Sequence, residues 1–194
     1  MRIIAGSRRG AKLTKLDAAN TRPTADRTRE SLFNILAGGK SRRTLAAANV
    51  IDAFAGTGAL GLEALSRGAA SVCFIEQDRA ALAVLRANIT KLDMQDRAAV
   101  LAGDATRLSH WSAPPAAIMF ADAPYHSGAG QTAAITIGTI GGLAPGAMVI
   151  LEMQKTESLD IDNLAAATIT PDDTRIYGKT ALHFLTYNGQ SNSG

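Results

Sequence analysis

From Asn49 onward the chain alternates short apolar runs with longer stretches whose apolar residues recur at helical spacing. NVIDAF (49–54) reads as a buried strand, and ALGLEALSRG (59–68) as a helix closed by Gly68. ASVCFIE (70–76) is a second strand, followed by a helix over DRAALAVLRANITKL (78–92) with Asp78 placed to cap it. AAVLAGDA (98–105), AAIMFAD (116–122) and AMVILEM (147–153) supply three more strands. ATITPDDTRIYG (167–178) and TALHFLTY (180–187) supply a closing pair, with Thr170–Pro171–Asp172–Asp173 expected as a turn. Strand–helix alternation predicts a parallel sheet covered on both faces, and the closing pair, too close for a crossover helix, predicts an antiparallel edge. Upstream, RIIAGSRRGAKLTKL (2–16) reads as a hairpin with arginines at its tip. RPTADRTRESLFNILAGG (22–39) reads as a helix opened by Pro23 and Thr24, with Thr24 as cap, and ended by Gly38 and Gly39. The expected organisation is a basic extension over 1–43, an α/β domain over 44–188 and a frayed tail over 189–194.

Composition narrows the classes. The chain has 194 residues, 46% of them hydrophobic, enough for one domain with a sizeable core. No apolar run reaches the roughly 18 residues of a membrane helix, and MRIIAGSRRG is no secretory signal. Cys73, the single cysteine, excludes an internal disulfide and reads as a small hydrophobe in a strand. A cytoplasmic protein is expected. Net charge is +3, unevenly spread: residues 1–43 hold eleven basic and three acidic residues, the rest nine basic and fourteen acidic. A basic end on an acidic body suggests a polyanionic partner such as a nucleic acid.

The candidate chemistry begins at VIDAFAGTGALGLEAL, where Gly56, Gly58 and Gly61 form G-x-G-x-x-G between strand and helix. Such a loop lets a ligand lie against bare backbone at a helix N-terminus. Glu76, 20 residues after Gly56, stands where an acid would hold ribose hydroxyls. This suits a dinucleotide or another adenosine cofactor equally. Asp52, ending the first strand, would repel a pyrophosphate but suits the ammonium and sulfonium of S-adenosylmethionine (SAM). Asp104, after the third strand, can accept a hydrogen bond from an adenine amine. Either acid could instead cap the segment that follows it.

Asp122–Ala123–Pro124–Tyr125 ends the fourth strand, at the sheet edge where ligands of open α/β folds sit. The tetrad suits an exocyclic amine on a flat base: carboxylate and Ala123 carbonyl each accept one N–H, and the tyrosine ring stacks. It resembles the [D/N]-P-P-[Y/F] motif of SAM-dependent amino-methyltransferases acting on nucleobases. RIIAGSRRG, RPTADRTRESLFNIL, DAFAGTGALGLEALSRGA, FIEQDR, DAPY and YGKT together resemble the RsmD-type family, methyltransferases of 16S rRNA acting on a guanine N2.

The resemblance implies a SAM-dependent methyltransferase Rossmann-like sheet of seven strands, the last antiparallel, behind a small hairpin-plus-helix extension. It implies that Asp52, Ala55, Gly56, Thr57, Gly58, Glu76, Gln77, Asp104 and Ala105 hold SAM, and that Asp122, Ala123, Pro124 and Tyr125 form the catalytic pocket. Arg8, Arg9, Arg22, Arg27 and Arg29 would bind RNA. The implied partner is 16S rRNA within a 30S subunit or its assembly intermediate, with no metal and no membrane; a monomer is the family expectation. Ala123 departs from the family's proline but keeps the needed carbonyl, and Pro124 still biases residue 123 away from helix. Rival readings are an amino-methyltransferase acting on DNA adenine N6 or protein glutamine, and an inactive RNA-binding homologue or assembly factor. His110 and Trp111 are expected to fill a loop and His183 to be structural, while His126 is given no role.

Overall fold

The computed structural model describes residues 1–16, 23–38 and 45–189. Its elements run α1 (Pro23–Ala37), β1 (Asn49–Ala53), α2 (Ala59–Ser66), β2 (Ser71–Glu76), α3 (Arg79–Lys91), β3 (Ala98–Ala102), β4 (Ala116–Asp122), α4 (Ala129–Thr139), β5 (Leu143–Gln154), α5 (Ile161–Ala166), β6 (Ile169–Tyr177) and β7 (Thr180–Tyr187). Seven strands form one sheet in the order β3-β2-β1-β4-β5-β7-β6. Pairings from β3 to β5 are parallel; β7 runs antiparallel to both β5 and β6. The chain reverses its direction of travel across the sheet between β3 and β4, so β1 and β4 lie side by side and their C-terminal ends form the switch-point crevice.

Period-two alternation assigns the strand side chains to two cores. Val50, Phe74, Ile118, Phe120 and Ile150 face α2, α3 and the N-terminal extension; Ile51, Ile75, Met119, Val149 and Leu151 face the side of α4 and α5. Leu32, Phe33 and Leu36 of α1, with Ile3 and Leu13, are buried in the first core. The Phe33 and Phe120 rings meet at 5.6 Å, tilted by 58°, an arrangement contributing about 1 kcal/mol beyond burial. The extension is therefore packed on the sheet.

Asp78 caps α3 as expected, its side chain accepting from Ala81 N at 2.8 Å. The helix α1 begins at Pro23, so Thr24 lies inside it instead of capping it, and it ends at Ala37 before Gly38. Proline suits a first helical position, where no amide bond is lost. Gly39, Arg22 and the tail beyond 189 lie outside the described residues. The expected turn at Thr170–Asp173 is instead part of β6, with a register shift between Pro171 and Asp173. β6 is the sheet's edge, where a proline's missing N–H costs no ladder bond and a bulge is tolerated. The helices α4 and α5 have no counterpart among the expected elements. Among the described residues no helix is long and apolar enough to cross a membrane.

The N-terminal hairpin is a narrow ribbon, bridged at Arg2 and Lys12 and held by Ile3 N to Ala11 O (3.0 Å) and Gly10 N to Ile3 O (2.9 Å). It lies along α2. Near the base, Met1 Sδ is 3.9 Å from Thr57 Oγ1; midway, Ile4 and Ala5 amides donate to Glu63 at 2.7 and 3.0 Å. At the tip, Ser7 N donates to Ser66 O at 2.8 Å and Arg8 N to Ser66 Oγ at 3.0 Å. Gly6 permits this approach, since a Cβ there would stand 1.9 Å from Ser66 O and its φ is +81°.

Candidate active site

The three glycines of the loop after β1 do different work. Gly61 lets α2 press onto β2, where a Cβ would meet the Phe74 ring at 2.3 Å. Gly58, at φ +82°, has Leu85 of α3 where its Cβ would stand, 2.5 Å away. Gly56, at φ +54°, has nothing within 4 Å, so bare backbone faces open space. Phe54, just before, is held at φ +63°, a sparsely populated conformation for an aromatic residue. Ala55 is buried and bonds Ile75 O through its amide at 3.0 Å. Thr57 accepts from Asn88 Nδ2 at 2.9 Å; Asn88, wholly buried on α3, also grips Thr14 through both side-chain atoms. Asn88 thereby couples the glycine loop to the end of the ribbon.

Glu76 closes the loop. Its Oε2 accepts from Gly56 N at 2.7 Å, and its Oε1 from the Gln77 and Asp78 amides at 2.8 Å each. The Gln77 side chain is exposed beside it. Asp52 is buried and accepts from Gly61 N at 2.8 Å, so one oxygen caps α2 from the adjacent strand. Burial, opposed by that amide and reinforced by the charges of Asp122 and Glu76, pushes the Asp52 carboxyl up to about 8. Asp104 stands apart: its Oδ1 accepts from Thr106 N and Oγ1 at 2.9 and 2.7 Å, bonds that hold its carboxyl below the usual range. Ala105 beside it is buried.

At the end of β4, Asp122 is accessible from the cleft yet hemmed in by protein on its other sides, and this desolvation raises its carboxyl to about 6. Ala123 is buried beside α4, with Gly130 across from it, where an added Cβ would stand in ordinary contact at 3.7 Å from Ala123 Cβ. Ser127 Oγ bonds Pro124 O, and His126 N donates to Glu157 Oε1 at 2.8 Å, fixing the turn after the tetrad. Tyr125 Oη lies 3.3 Å from Glu152 Oε1 and 3.1 Å from Thr180 Oγ1. Glu152 is the site residue the sequence reading missed. It stands in register with Asp122 on the neighbouring strand, and burial together with the Asp122 charge pushes its carboxyl up to about 8. An acid inside the otherwise apolar run AMVILEM was its one signal.

Asp52, Glu76, Asp122 and Glu152 thus line neighbouring strand ends on β1, β2, β4 and β5. Burial raises three of them, and the Asp122 charge adds to the rise at Asp52 and Glu152, a strain that a cation in the cleft would relieve. Open space above Gly56, and above Gly103, where a Cβ would also meet nothing within 4 Å, leaves room beside these acids. The donor set therefore fits a cationic adenosine cofactor with ribose hydroxyls, as SAM is.

The arginines divide. Arg29 is buried and donates to Arg2 O at 2.8 Å, joining α1 to the ribbon, so the expectation of an exposed RNA contact there is corrected. Arg8 donates from Nε to Leu92 O at 2.6 Å, with Nη2 3.7 Å from Asp93 Oδ2; it docks the ribbon tip on the end of α3. Arg9 and Arg27 are exposed and, with Arg2, line a cleft of about 340 Å³ between ribbon and α1. Arg2 was not singled out from the sequence. Trp111 is half-buried against the second core while His110 is exposed; His183 Nδ1 meets Thr174 Oγ1 at 2.9 Å. The Cys73 thiol is raised by burial to about 11.

This sheet order, the reversed seventh strand and an acid-lined crevice behind a glycine loop define the methyltransferase class of Rossmann-like folds. The sequence matches the family described as "Conserved hypothetical protein 95" over residues 1–186. It is 38% identical over 159 residues to Ribosomal RNA small subunit methyltransferase D of Escherichia coli K12, covering 82% of this chain and 77% of that protein. The Haemophilus influenzae protein of the same name is 30% identical over 190 residues, covering 96% and 91%. A solved structure of a putative methyltransferase from Escherichia coli superposes with a TM-score of 0.82 at 34% identity, over 98% of this chain and 99% of that one. The chain belongs to the RsmD-type family.

Proposed function

We propose that this protein transfers a methyl group from SAM to the exocyclic N2 of a guanine in small-subunit 16S rRNA, within a 30S particle or an assembly intermediate. The observation that carries the chemistry is the Asp122–Tyr125 tetrad at the switch point, beside three further carboxylates. SAM, when bound, supplies an electrophilic methyl group, and Asp52, Glu76 and the Gly56 backbone are placed to hold it, with Ala55, Thr57, Gly58 and Gln77 around the same loop and Asp104 and Ala105 at the next strand end. The Asp122 carboxylate and the Ala123 carbonyl each accept one N–H of the amine, turning its lone pair out of conjugation with the ring. The Tyr125 ring covers the base face, a contact of about 1–3 kcal/mol, for a base unstacked from its helix. Once the lone pair is used the amine becomes acidic, and Asp122 takes up the proton. Catalysis here is chiefly positioning. Arg9, Arg27 and Arg2 supply phosphate contacts.

The test supplies labelled SAM with 30S subunits lacking the mark and maps the labelled base. Label on N2 of a single guanine of 16S rRNA is the expected result. Label in DNA adenine or in protein, or on another rRNA atom, would overturn the assignment.

A further inference from the structure

The turn between β6 and β7, Tyr177–Gly178–Lys179–Thr180, is far in sequence from both the glycine loop and the tetrad, yet it reaches the active site. Thr180, the first residue of β7, pairs in register with Gln154 at the end of β5. Its hydroxyl lies 3.1 Å from Tyr125 Oη, and Glu152 Oε1, from β5, lies 3.3 Å from the same atom. A phenol has one proton to give, and here it is directed at Glu152 Oε1. Tyr125 therefore donates to Glu152 and receives from Thr180, so side chains of two strands hold one oxygen of the tetrad turn. The rest of the turn has no comparable hold on the ring: Ser127 bonds the Pro124 carbonyl and Glu157 the His126 amide, both backbone groups.

A purely structural acceptor would not need to be an acid in register with Asp122, whose charge raises the cost of ionising Glu152. What the pair achieves is orientation. With Oη fixed, the ring cannot rotate about its first side-chain torsion without breaking two hydrogen bonds. Its face then keeps one angle to Asp122, three residues earlier in the chain.

We propose that Glu152 and Thr180 are positioning residues of the active site, clamping Tyr125 Oη so that the ring stands ready to cover the flat group gripped by Asp122. The clamp rests on the reading that such a group enters beside the tetrad. It gives the YGKT stretch a part in the reaction: the β6–β7 turn carries the hydroxyl that completes the clamp.

The test is a double-mutant cycle on SAM-dependent methylation of unmodified small-subunit RNA, with ring-labelled tyrosine NMR of the same proteins. Tyr125→Phe keeps the ring and removes the clamp; Thr180→Val and Glu152→Ala each remove one partner. Each single change is expected to lower kcat by about 3- to 10-fold, the range of one neutral hydrogen bond, with SAM affinity and melting temperature nearly unchanged. Tyr125→Phe/Thr180→Val should be no slower than Tyr125→Phe alone, because both remove the same constraint. Thr180→Ser and Glu152→Gln, which keep a hydroxyl and an acceptor oxygen, should recover most of the rate. Losses that multiply in the double variant, or Tyr125→Phe at the wild-type rate, would overturn the clamp. The NMR arm does not depend on the substrate: Thr180→Val should shift and broaden the Tyr125 ring signal, and an unchanged signal would also overturn it. Wild-type protein that methylates no RNA would instead refute the proposed substrate, leaving the clamp to be judged by NMR alone.

Discussion

Asp122 has to be ionised to accept an amine proton, and its surroundings decide when it is. Three carboxyls of the cleft are raised, Asp122 to about 6 by desolvation, and Asp52 and Glu152 to about 8 by burial together with the Asp122 charge. Of the three, Asp122 is the least raised and loses its proton first as pH rises, so in the proposed reaction the group that meets the amine is the first to carry charge. Methyl transfer should accordingly fall as pH drops through about 6, where Asp122 protonates and ceases to accept. Asp122→Asn should lower kcat by about 100-fold or more and abolish that acid limb, leaving SAM affinity largely intact. A near wild-type rate in Asp122→Asn, with the limb in place, would remove Asp122 from the proton-handling role. At this scale the sequence was informative wherever a polar residue interrupts a strand end: Asp52, Glu76 and Asp122 stand where the apolar runs stop. Glu152 escaped because it lies inside such a run, and only pairing with β4 brings it opposite Asp122. The bonds of Arg8 and Arg29 to carbonyls of their own chain were not legible because charge alone does not distinguish a side chain offered to a partner from one held internally.

Among the elements, the ribbon and α2 behave as one unit, and Glu63 is its centre. This wholly buried carboxylate accepts from the Ile4 and Ala5 amides and from Arg67 Nε at 2.6 Å, while the Arg67 guanidinium lies 4.9 Å above the Phe33 ring of α1. Ribbon, α2 and α1 thus meet at one ion pair. Removing one partner of such a pair leaves a buried charge and two amides unsatisfied, at a cost of about 3–5 kcal/mol. Glu63→Ala should lower the unfolding free energy obtained from urea titration by an amount in that range and open residues 1–16 to proteolysis in the native state; a protected ribbon would show that its other contacts suffice. Glu63 and Arg67 read in sequence as an ordinary i,i+4 pair on a helix, since the two amide partners of Glu63 lie 58 and 59 positions away. The strands β1–β5 were legible because continuous apolar runs have few alternatives. α4 was not: AGQTAAITIGT is rich in Gly, Thr and Ile, poor helix formers. Packing overrides that preference, with Ala133, Ala134 and Ile137 buried in the second core and Tyr187 Oη bonded to Gly138 O at 3.0 Å.

On the scale of the whole molecule, charge and architecture point the same way. Within the basic stretch 1–43, the ribbon runs from the glycine loop, at Met1 and Thr57, to the far end of α2, at Arg8 and Ser66. Arginines of this stretch fall into two sets that a salt titration can separate. Arg2, Arg9 and Arg27 line one cleft, and none of the three side chains forms an ion pair among the described residues. Arg8 is committed to Leu92 and Asp93. Removing one arginine from a phosphate should reduce the slope of log affinity against log salt by about 1, because one fewer counterion is released. Arg9→Ala with Arg27→Ala should therefore weaken RNA binding at low salt, flatten the slope by about 2 and leave SAM affinity unchanged. Arg8→Ala should change the slope little and instead lower the melting temperature, since it undocks the ribbon tip. The reverse outcome, a flattened slope in Arg8→Ala and none in the double variant, would place the RNA on the ribbon tip and not in the cleft between ribbon and α1.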